Sequence, residues 1–166
     1  LKRLLRDVAS LGVQTVWLMG TELGEKSYRE STLVERGAVY EALLEGCMQA
    51  GDTAVPDFKL FNSVAQMLEF ADAFLNVRIL LDVKNAETSL GRYNLNAVNA
   101  DCPLLLSIGS ERGWTDKERA LFINKNFSVC SLGTRILRTE TAATTAIALA
   151  LSGAGFMDGS SQNRSF

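Results

Sequence analysis

The sequence contains no histidine among its 166 residues. This absence excludes zinc sites with histidine ligands and catalytic triads in which histidine is the base. The three cysteines, Cys47, Cys102 and Cys130, lie far apart and show no C-x-x-C spacing. An odd number of cysteines without metal-ligand spacing favours reduced, buried thiols and a cytoplasmic protein, so we expect no metal.

The sequence also lacks long apolar runs and an excess of basic residues. No apolar run approaches the roughly 20 residues that a membrane-spanning helix needs, so we expect no membrane span. A net charge of −2 is not typical of a domain that binds nucleic acid on its own. Either nucleic-acid affinity lies in a domain outside this sequence, or the partner is not a nucleic acid.

Helix-like and strand-like segments alternate along the chain. This pattern predicts an α/β fold with a mostly parallel sheet and helices on both faces. A capping box, Thr115-x-x-Glu118, predicts the start of one helix. Between residues 84 and 100 we expect a polar surface loop. The first predicted strand, 13–19, is expected to be buried. The other predicted strands are 58–61, 77–83, 103–108 and 127–132, and the other predicted helices are 1–10, 32–50, 63–74 and 139–151.

Polar side chains concentrate at two strand-to-helix junctions. The first junction, residues 108–115, reads I-G-S-E-R-G-W-T, and the second, residues 132–142, reads L-G-T-R-I-L-R-T-E-T-A. In α/β proteins such junctions are the usual place for ligand chemistry. Because the two junctions follow successive strands of the chain, we predict one site that is built from two loops.

These two segments resemble the signature of the SPOUT superfamily, the trefoil-knotted, S-adenosylmethionine-dependent RNA methyltransferases. The match is best to the RsmE-type family, which methylates N3 of a uridine in 16S ribosomal RNA. That family reads L-L-I-G-P-E-G-G-[LF]-[ST]-x-x-E and then L-G-x-R-[IV]-L-R-T-E-T-A. The second motif matches at every defined position, whereas Ser110 and Arg112 replace a proline and a glycine of the first.

The resemblance covers most of residues 1–151 but departs from the family pattern upstream. Asp52 stands where the family has arginine, and Leu23 replaces the arginine of an S-E-R triplet. In the family these positions belong to the RNA-facing side. The cofactor half of the resemblance is therefore better supported than the RNA half.

The resemblance implies a domain organisation as well as an activity. It implies a C-terminal trefoil knot in residues 1–151, a homodimer, and 16S rRNA or the small ribosomal subunit as the partner. The resemblance also implies that the family's N-terminal β-barrel RNA-binding domain is not part of this sequence, and we expect residues 152–166 to form a disordered tail. The small residues of 142–150 suit a helix–helix interface, or alternatively a tightly packed helix within one subunit.

The resemblance also assigns the two junctions to S-adenosylmethionine. Glycine lets the backbone approach an adenine ring closely, and the apolar side chains are placed to sandwich it. Ordinary strand-to-helix turns with core leucines are the alternative. The predicted cofactor-binding residues are Leu81, Ile108, Gly109, Glu111, Gly113, Leu132, Gly133, Ile136, Leu137, Thr139, Glu140 and Thr141.

Arg138 and Glu111 are the predicted catalytic residues. Methylation of uridine N3 requires loss of its proton, and a fixed guanidinium at Arg138 would stabilise the resulting oxyanion. Alternatively, Arg138 holds a phosphate or a carboxylate across a dimer interface. Without histidine, the general base would be a carboxylate such as Glu111, or water; Glu111 and Arg112 equally suit a surface ion pair. Arg135 is expected to face solvent or phosphate.

Two residues at the start of the last helix have double interpretations. Glu140 lies where the helix dipole favours an ionised carboxylate, which makes it a poor general base. It is expected either to anchor hydroxyls of the site, Arg138 or the positive charge of the cofactor, or only to stabilise its helix. Thr139 is predicted first as the N-cap of the helix and second as a site residue.

The open functional alternatives are a paralogue with another RNA target and a cofactor-binding domain without catalysis. Ser110, Arg112, Leu23 and Asp52 favour the first of these alternatives. A nicotinamide or flavin domain is disfavoured because no G-x-G-x-x-G follows the first strand.

Overall fold

The computed structural model describes residues 1–24, 38–74 and 76–157. In these ranges the helices are α1 (Lys2–Ser10), α2 (Ala38–Ala50), α3 (Val64–Ala71), α4 (Asp116–Asn124) and α5 (Thr139–Gly153), with a 3-10 helix at Leu90–Arg92. The strands are β1 (Thr15–Met19), β2 (Asp57–Phe61), β3 (Val77–Leu81), β4 (Thr88–Ser89), β5 (Leu104–Ile108) and β6 (Ser128–Ser131). The start predicted for the helix at 32–50 and most of the tail after residue 151 lie outside the described residues.

All strand pairs in the described ranges are parallel, as predicted. β1 pairs with β2, and a four-stranded sheet has the order β4-β6-β3-β5. The central strand β3 is therefore flanked by two strands that both follow it in the chain. This order places a reversal of winding direction beside β3, which is where α/β sheets form ligand crevices.

The alternating side chains of β3 pack against helices on both faces of the sheet. Leu80 belongs to a cluster with residues of β2, α3, α4 and β6, in which Phe122 is fully buried. Ile79 and Leu81 point into the opposite cluster, which contains Ala146 and Ala150 of α5. The predicted α/β class with helices on both faces is confirmed. The trefoil knot stays a prediction of the resemblance.

Helices α1 and α2 form a third cluster and cross at Gly46. A Cβ atom placed on Gly46 would lie 2.3 Å from the backbone oxygen of Arg6 and 2.9 Å from the Cβ of Ala9. Only glycine lets the two helix backbones approach this closely. Leu5 and Leu43, which are almost completely buried, complete the contact.

Two sequence predictions about the strands and loops need correction. The segment 84–100 is not purely a polar surface loop, because it contains β4 and a 3-10 helix and buries Leu90 and Leu95 against α5. The first strand is half-buried rather than buried. It lies in a two-stranded sheet, so it has fewer neighbours than β3.

The cysteines are all free thiols, and the two inside clusters are buried. Burial, together with the nearby Glu87 carboxylate, raises the pKa of Cys130 from 9.0 to about 11. Burial likewise raises the pKa of Cys47. Cys102 is only partly buried, so the prediction of buried thiols holds for two of the three residues.

We expect these thiols to react in order of their exposure. Iodoacetamide at pH 8 should label Cys102 in the native chain and reach Cys47 and Cys130 only after unfolding, because alkylation needs an accessible thiolate. Mass spectrometry of the labelled peptides measures this order. Folding disfavours the Cys130 thiolate, so the unfolded chain loses the thiol proton at a lower pH than the folded chain. The ionisation of Cys130 therefore leaves the free energy of unfolding unchanged below pH 9 and lowers it between pH 9 and 11. Rapid labelling of native Cys130 at pH 8 would contradict the prediction.

No helix in residues 1–24, 38–74 or 76–157 has both the length and the apolar character needed to span a membrane.

Candidate functional site

The carboxyl ends of three neighbouring strands meet at one edge of the four-stranded sheet. Leu81, the last residue of β3, is in register with Ile108 at the end of β5 and with Cys130 of β6. The predicted site loops, 109–115 and 132–138, start from β5 and β6 and therefore flank β3. The structure thus brings the two junctions to the same edge, as the sequence analysis predicted for one site built from two loops.

The loop after β5 is a tight turn. The backbone N–H of Gly113 donates to the carbonyl of Ser110 at 2.8 Å, and the two residues form an isolated antiparallel bridge. Gly113 has a φ of +72°, a left-handed conformation that favours glycine. Glu111 and Arg112 are exposed in this turn. No ion pair joins them within the described ranges, so the alternative of a surface pair gains no support.

Trp114 anchors this turn to the central strand. Its indole N–H donates to the backbone oxygen of Leu81 at 3.0 Å, and the ring is buried. A Cβ atom on Gly109 would lie 3.1 Å from two atoms of the ring. The turn therefore lies close against the end of β3, and Gly109 is the residue that permits the close contact.

One hydroxyl in the turn is buried without a hydrogen-bond partner in the described part of the chain. This atom is Ser110 Oγ. A buried hydroxyl that makes no hydrogen bond is costly, so such groups usually have a partner in the functional state. Ser110 replaces the proline of the family motif, and it adds a donor and acceptor that proline lacks.

The second loop, 132–138, presents most of its side chains to solvent. Gly133 has a φ of +105°, which again requires glycine. Leu132 and Leu137 are half-buried, whereas Ile136 is 80% exposed although it was predicted to contact the adenine ring. In the described ranges, Arg135 and Arg138 are exposed and make no ion pair.

The N-cap of helix α5 lies one residue earlier in the chain than the sequence predicted, although the helix itself starts at Thr139. Arg138 is the N-cap residue with extended backbone, and Thr139 is the first helical residue, so the prediction of Thr139 as the N-cap is wrong. The carbonyl of Arg138 accepts the first helical hydrogen bond from Ala142 N at 2.8 Å. Glu140 lies in the first turn of α5, as predicted, and Thr141 is exposed beside it.

The capping box that starts α4 is confirmed and has an additional partner. Glu118 accepts hydrogen bonds from the backbone N–H of Thr115 and of Glu22, both at 2.9 Å. The carboxylate thereby holds residue 22 against the α4 N-terminus. As a result Leu23, one of the two departures from the family pattern, lies next to a residue that is bonded to the predicted cofactor side.

Asp52, the other departure, has a local structural use. Its Oδ1 accepts hydrogen bonds from the backbone N–H groups of Thr53 at 2.6 Å and Ala54 at 3.0 Å. This Asx-type turn leads the chain from the end of α2 towards β2. An arginine at this position would have no acceptor oxygen to form it.

Three residues at this edge were missed by the sequence analysis. Asp82 follows β3, Arg119 lies on α4, and the two form an ion pair whose side chains are 4% and 6% exposed. The sequence analysis included Trp114 only as part of the first motif and did not predict its contact with β3. An arginine in the second turn of a polar helix looks like a solvated residue, so no sequence signal indicated that Arg119 is buried.

Comparison with known proteins identifies the family. Residues 1–151 match the family described as the RNA methyltransferase domain. The chain belongs to this RNA methyltransferase family. The matched range ends within α5 and includes both loops of the candidate site.

Individual members of the RNA methyltransferase family resemble the chain along most of its length. The ribosomal RNA small subunit methyltransferase E of Treponema pallidum is 42% identical over 158 residues, which is 93% of this chain and 58% of that protein. Ribosomal RNA small subunit methyltransferase E 1 of Borreliella burgdorferi is 34% identical over 85% of this chain and 57% of its own length. The chain therefore spans a little over half the length of these relatives.

A solved structure of the same family has a similar fold. The ribosomal RNA small subunit methyltransferase E of Neisseria gonorrhoeae, crystallised with S-adenosyl methionine, superposes with a TM-score of 0.75 at 25% identity. The alignment covers 91% of this chain and 60% of that one. The membership predicted from the two junction motifs is thus confirmed by sequence and by fold.

Proposed function

We propose that this chain is the catalytic domain of an S-adenosylmethionine-dependent methyltransferase that modifies N3 of a uridine in small-subunit ribosomal RNA. The observation that carries the proposal is the meeting of both motif loops at the carboxyl edge beside β3. The names of the relatives and the ligand of the N. gonorrhoeae structure support the same substrate and cofactor.

The residues at this edge fit S-adenosylmethionine. Leu81, Ile108 and Leu132 provide apolar contacts for an adenine ring. The absence of a side chain at Gly109 and Gly113 lets backbone groups approach the ligand, and Ser110 Oγ offers a hydroxyl with no other partner in the described ranges. When bound, the cofactor supplies a methyl group activated by a positively charged sulfur.

Arg138 is proposed as the residue that stabilises the reacting uracil. Removal of the N3 proton spreads negative charge over the two carbonyl oxygens next to N3. The Arg138 guanidinium is exposed at the start of α5, with no carboxylate bound to it in the described residues, so it is free to pair with such an oxyanion. Arg135, exposed in the same loop, suits a phosphate contact.

Glu111 is proposed as the group that accepts the N3 proton. It is exposed in the turn after β5, at the same edge as the loop that carries Arg138. Its carboxylate has no bound cation in the described ranges that would occupy it. Water is the alternative acceptor, and a Glu111→Gln variant with unchanged turnover would assign the role to water.

We propose a homodimer that uses the outer face of α5. Ala143, Ala146 and Ala150 pack inside the subunit, but Leu149 on the same helix is 37% exposed. The neighbouring Ala148 is only partly buried, and its small side chain permits close approach of a second helix. Sedimentation equilibrium at micromolar concentration should return twice the monomer mass, and a monomer would contradict the proposal.

The experiment that tests the function is methylation of unmethylated small ribosomal subunits. The full-length protein and S-adenosylmethionine are incubated with the subunits, and the digested nucleosides are analysed by mass spectrometry. We expect N3-methyluridine. Its absence, together with measurable S-adenosylmethionine binding by calorimetry, would instead support a paralogue with another RNA target or a cofactor-binding domain without catalysis. The paralogue is the second candidate, and it is favoured by Ser110, Arg112, Leu23 and Asp52.

A further inference from the structure

A single buried guanidinium joins three elements at the candidate site. Arg119 lies on α4, and its Nε donates to Asp82 directly after β3. One terminal nitrogen donates to Asp116 at the start of α4, and the other donates to the backbone oxygen of Trp114 at 2.6 Å. These bonds use the planar fork of arginine, which lysine cannot reproduce.

The partners of Arg119 are themselves fixed to the sheet. The N–H of Asp82 donates to Cys130 O of β6 at 3.0 Å, and Asp82 Oδ1 accepts from Lys84 N at 3.1 Å. Trp114 is held from its other end by the bond from its indole N–H to Leu81 O at 3.0 Å. The position of Trp114 is therefore defined by two bonds, one from Arg119 and one to β3.

Trp114 in turn determines where the turn after β5 lies. Its ring lies against Gly109, where an added Cβ would be only 3.1 Å from it, and Gly113 immediately precedes it in the chain. A displacement of the ring would remove the contact that supports Gly109, and it would pull on Gly113 through the peptide bond that joins the two residues. The two residues carry the backbone groups proposed above for the cofactor.

We propose that Arg119 and Asp82 are positioning residues that hold the 109–114 turn in its ligand-binding conformation before the cofactor binds. This inference rests on the proposed function of the same site. Preorganised contacts cost little to form on binding, so loosening the turn should weaken affinity even though neither side chain touches the ligand. The pair is almost completely buried, and its role in the site is separate from that of exposed Arg138.

The chain contains a matched control at the opposite edge of the same sheet. Arg78, the second residue of β3, also joins several elements: it pairs with Asp72 at 3.0 Å and donates to Lys125 O and Ala71 O, both at 3.1 Å. Its side chain is 14% exposed. Both arginines therefore connect helices to β3, but only Arg119 lies at the carboxyl edge with the motif loops.

The test compares Arg119→Lys with Arg78→Lys in the full chain. Calorimetric titration with S-adenosylmethionine should show at least a tenfold weaker Kd for Arg119→Lys and less than a twofold change for Arg78→Lys. The midpoint temperature of thermal unfolding is expected to be lower in both variants than in the wild type. Equal affinity losses in the two variants, or an unchanged Kd in Arg119→Lys, would overturn the proposal.

Hydrogen exchange separates this proposal from the proposed function. Without cofactor, the Gly113 amide should exchange at least tenfold faster in Arg119→Lys than in the wild type, and at the wild-type rate in Arg78→Lys. Wild-type protein that does not bind S-adenosylmethionine would refute the function, and the exchange rates would still decide whether the turn is positioned. Protection that is unchanged in Arg119→Lys would refute the positioning role.

Two milder variants keep the test decisive if Arg119→Lys does not fold. Asp82→Asn keeps the acceptor for Lys84 N but removes the charge opposite Arg119, and Trp114→Phe keeps a ring over Gly109 but removes the bond to Leu81 O. Each should weaken cofactor binding about threefold or more while the unfolding transition remains cooperative. Wild-type affinity in both variants would contradict the inference.

Discussion

Replacing Arg138 by alanine is expected to lower the rate of methyl transfer about 100- to 1000-fold, the effect typical of removing one oxyanion-stabilising donor. The affinity for S-adenosylmethionine should stay within about twofold of the wild type, because the guanidinium is proposed to act on the uracil. Single-turnover assays on small ribosomal subunits measure the first quantity, and calorimetry measures the second. Arg138 is exposed and its side chain does not cap α5, so the variant should fold normally.

Arg135→Ala provides the matched control for this prediction. Arg135 lies in the same loop, is also exposed, and is proposed to contact only phosphate. Its loss should therefore weaken RNA binding in a salt-dependent way and leave the single-turnover rate at saturating RNA within about threefold. If the two variants lose rate equally, Arg138 has no special role in the chemistry and serves as a second phosphate contact.

The second large effect is expected for Gly46→Ala, far from the site. The added methyl group would lie 2.3 Å from the backbone oxygen of Arg6, and a backbone atom in the middle of a helix cannot rotate away. Overpacking of this kind typically costs about 1–3 kcal/mol, and we expect a value near 3 kcal/mol because α1 must shift as a whole. Urea unfolding followed by circular dichroism measures the change.

Gly91→Ala is the control for Gly46→Ala. A Cβ atom at Gly91 would meet only Leu149 Cδ2 at 3.8 Å, which is ordinary van der Waals contact. This variant should change the free energy of unfolding by less than about 1 kcal/mol. A Gly46→Ala protein as stable as the wild type would mean that α1 and α2 can separate without cost.

Much of the fold was predictable because its strands and helix starts have local signals. The five predicted strands all occur, although each is shorter than predicted at one end or both, except β2, which gains one residue. Thr115 and Glu118 form the expected capping box, which was predictable because the two residues are only three positions apart in the sequence. The two junction motifs meet at one edge because parallel strands end together.

The features that were not predicted depend on residues far apart in the chain. Leu90 and Leu95 stand among polar residues, and their burial results from packing against α5, about 50 residues later. Arg119 and Asp82 are separated by 37 positions, so neither residue indicates the other. The N-cap position of α5 is Arg138 rather than Thr139. This position depends on where the preceding loop leaves the sheet, which no residue propensity encodes.

The order of the four-stranded sheet has a consequence for synthesis of the protein. β3 is an apolar strand whose partners in the described ranges, β5 and β6, are both translated later. A nascent chain that has not yet reached Ser131 therefore carries β3 with at least one edge unpaired, and such edges promote aggregation. We therefore expect ribosomes that stall or terminate within this interval to release a product that aggregates more readily than the complete domain.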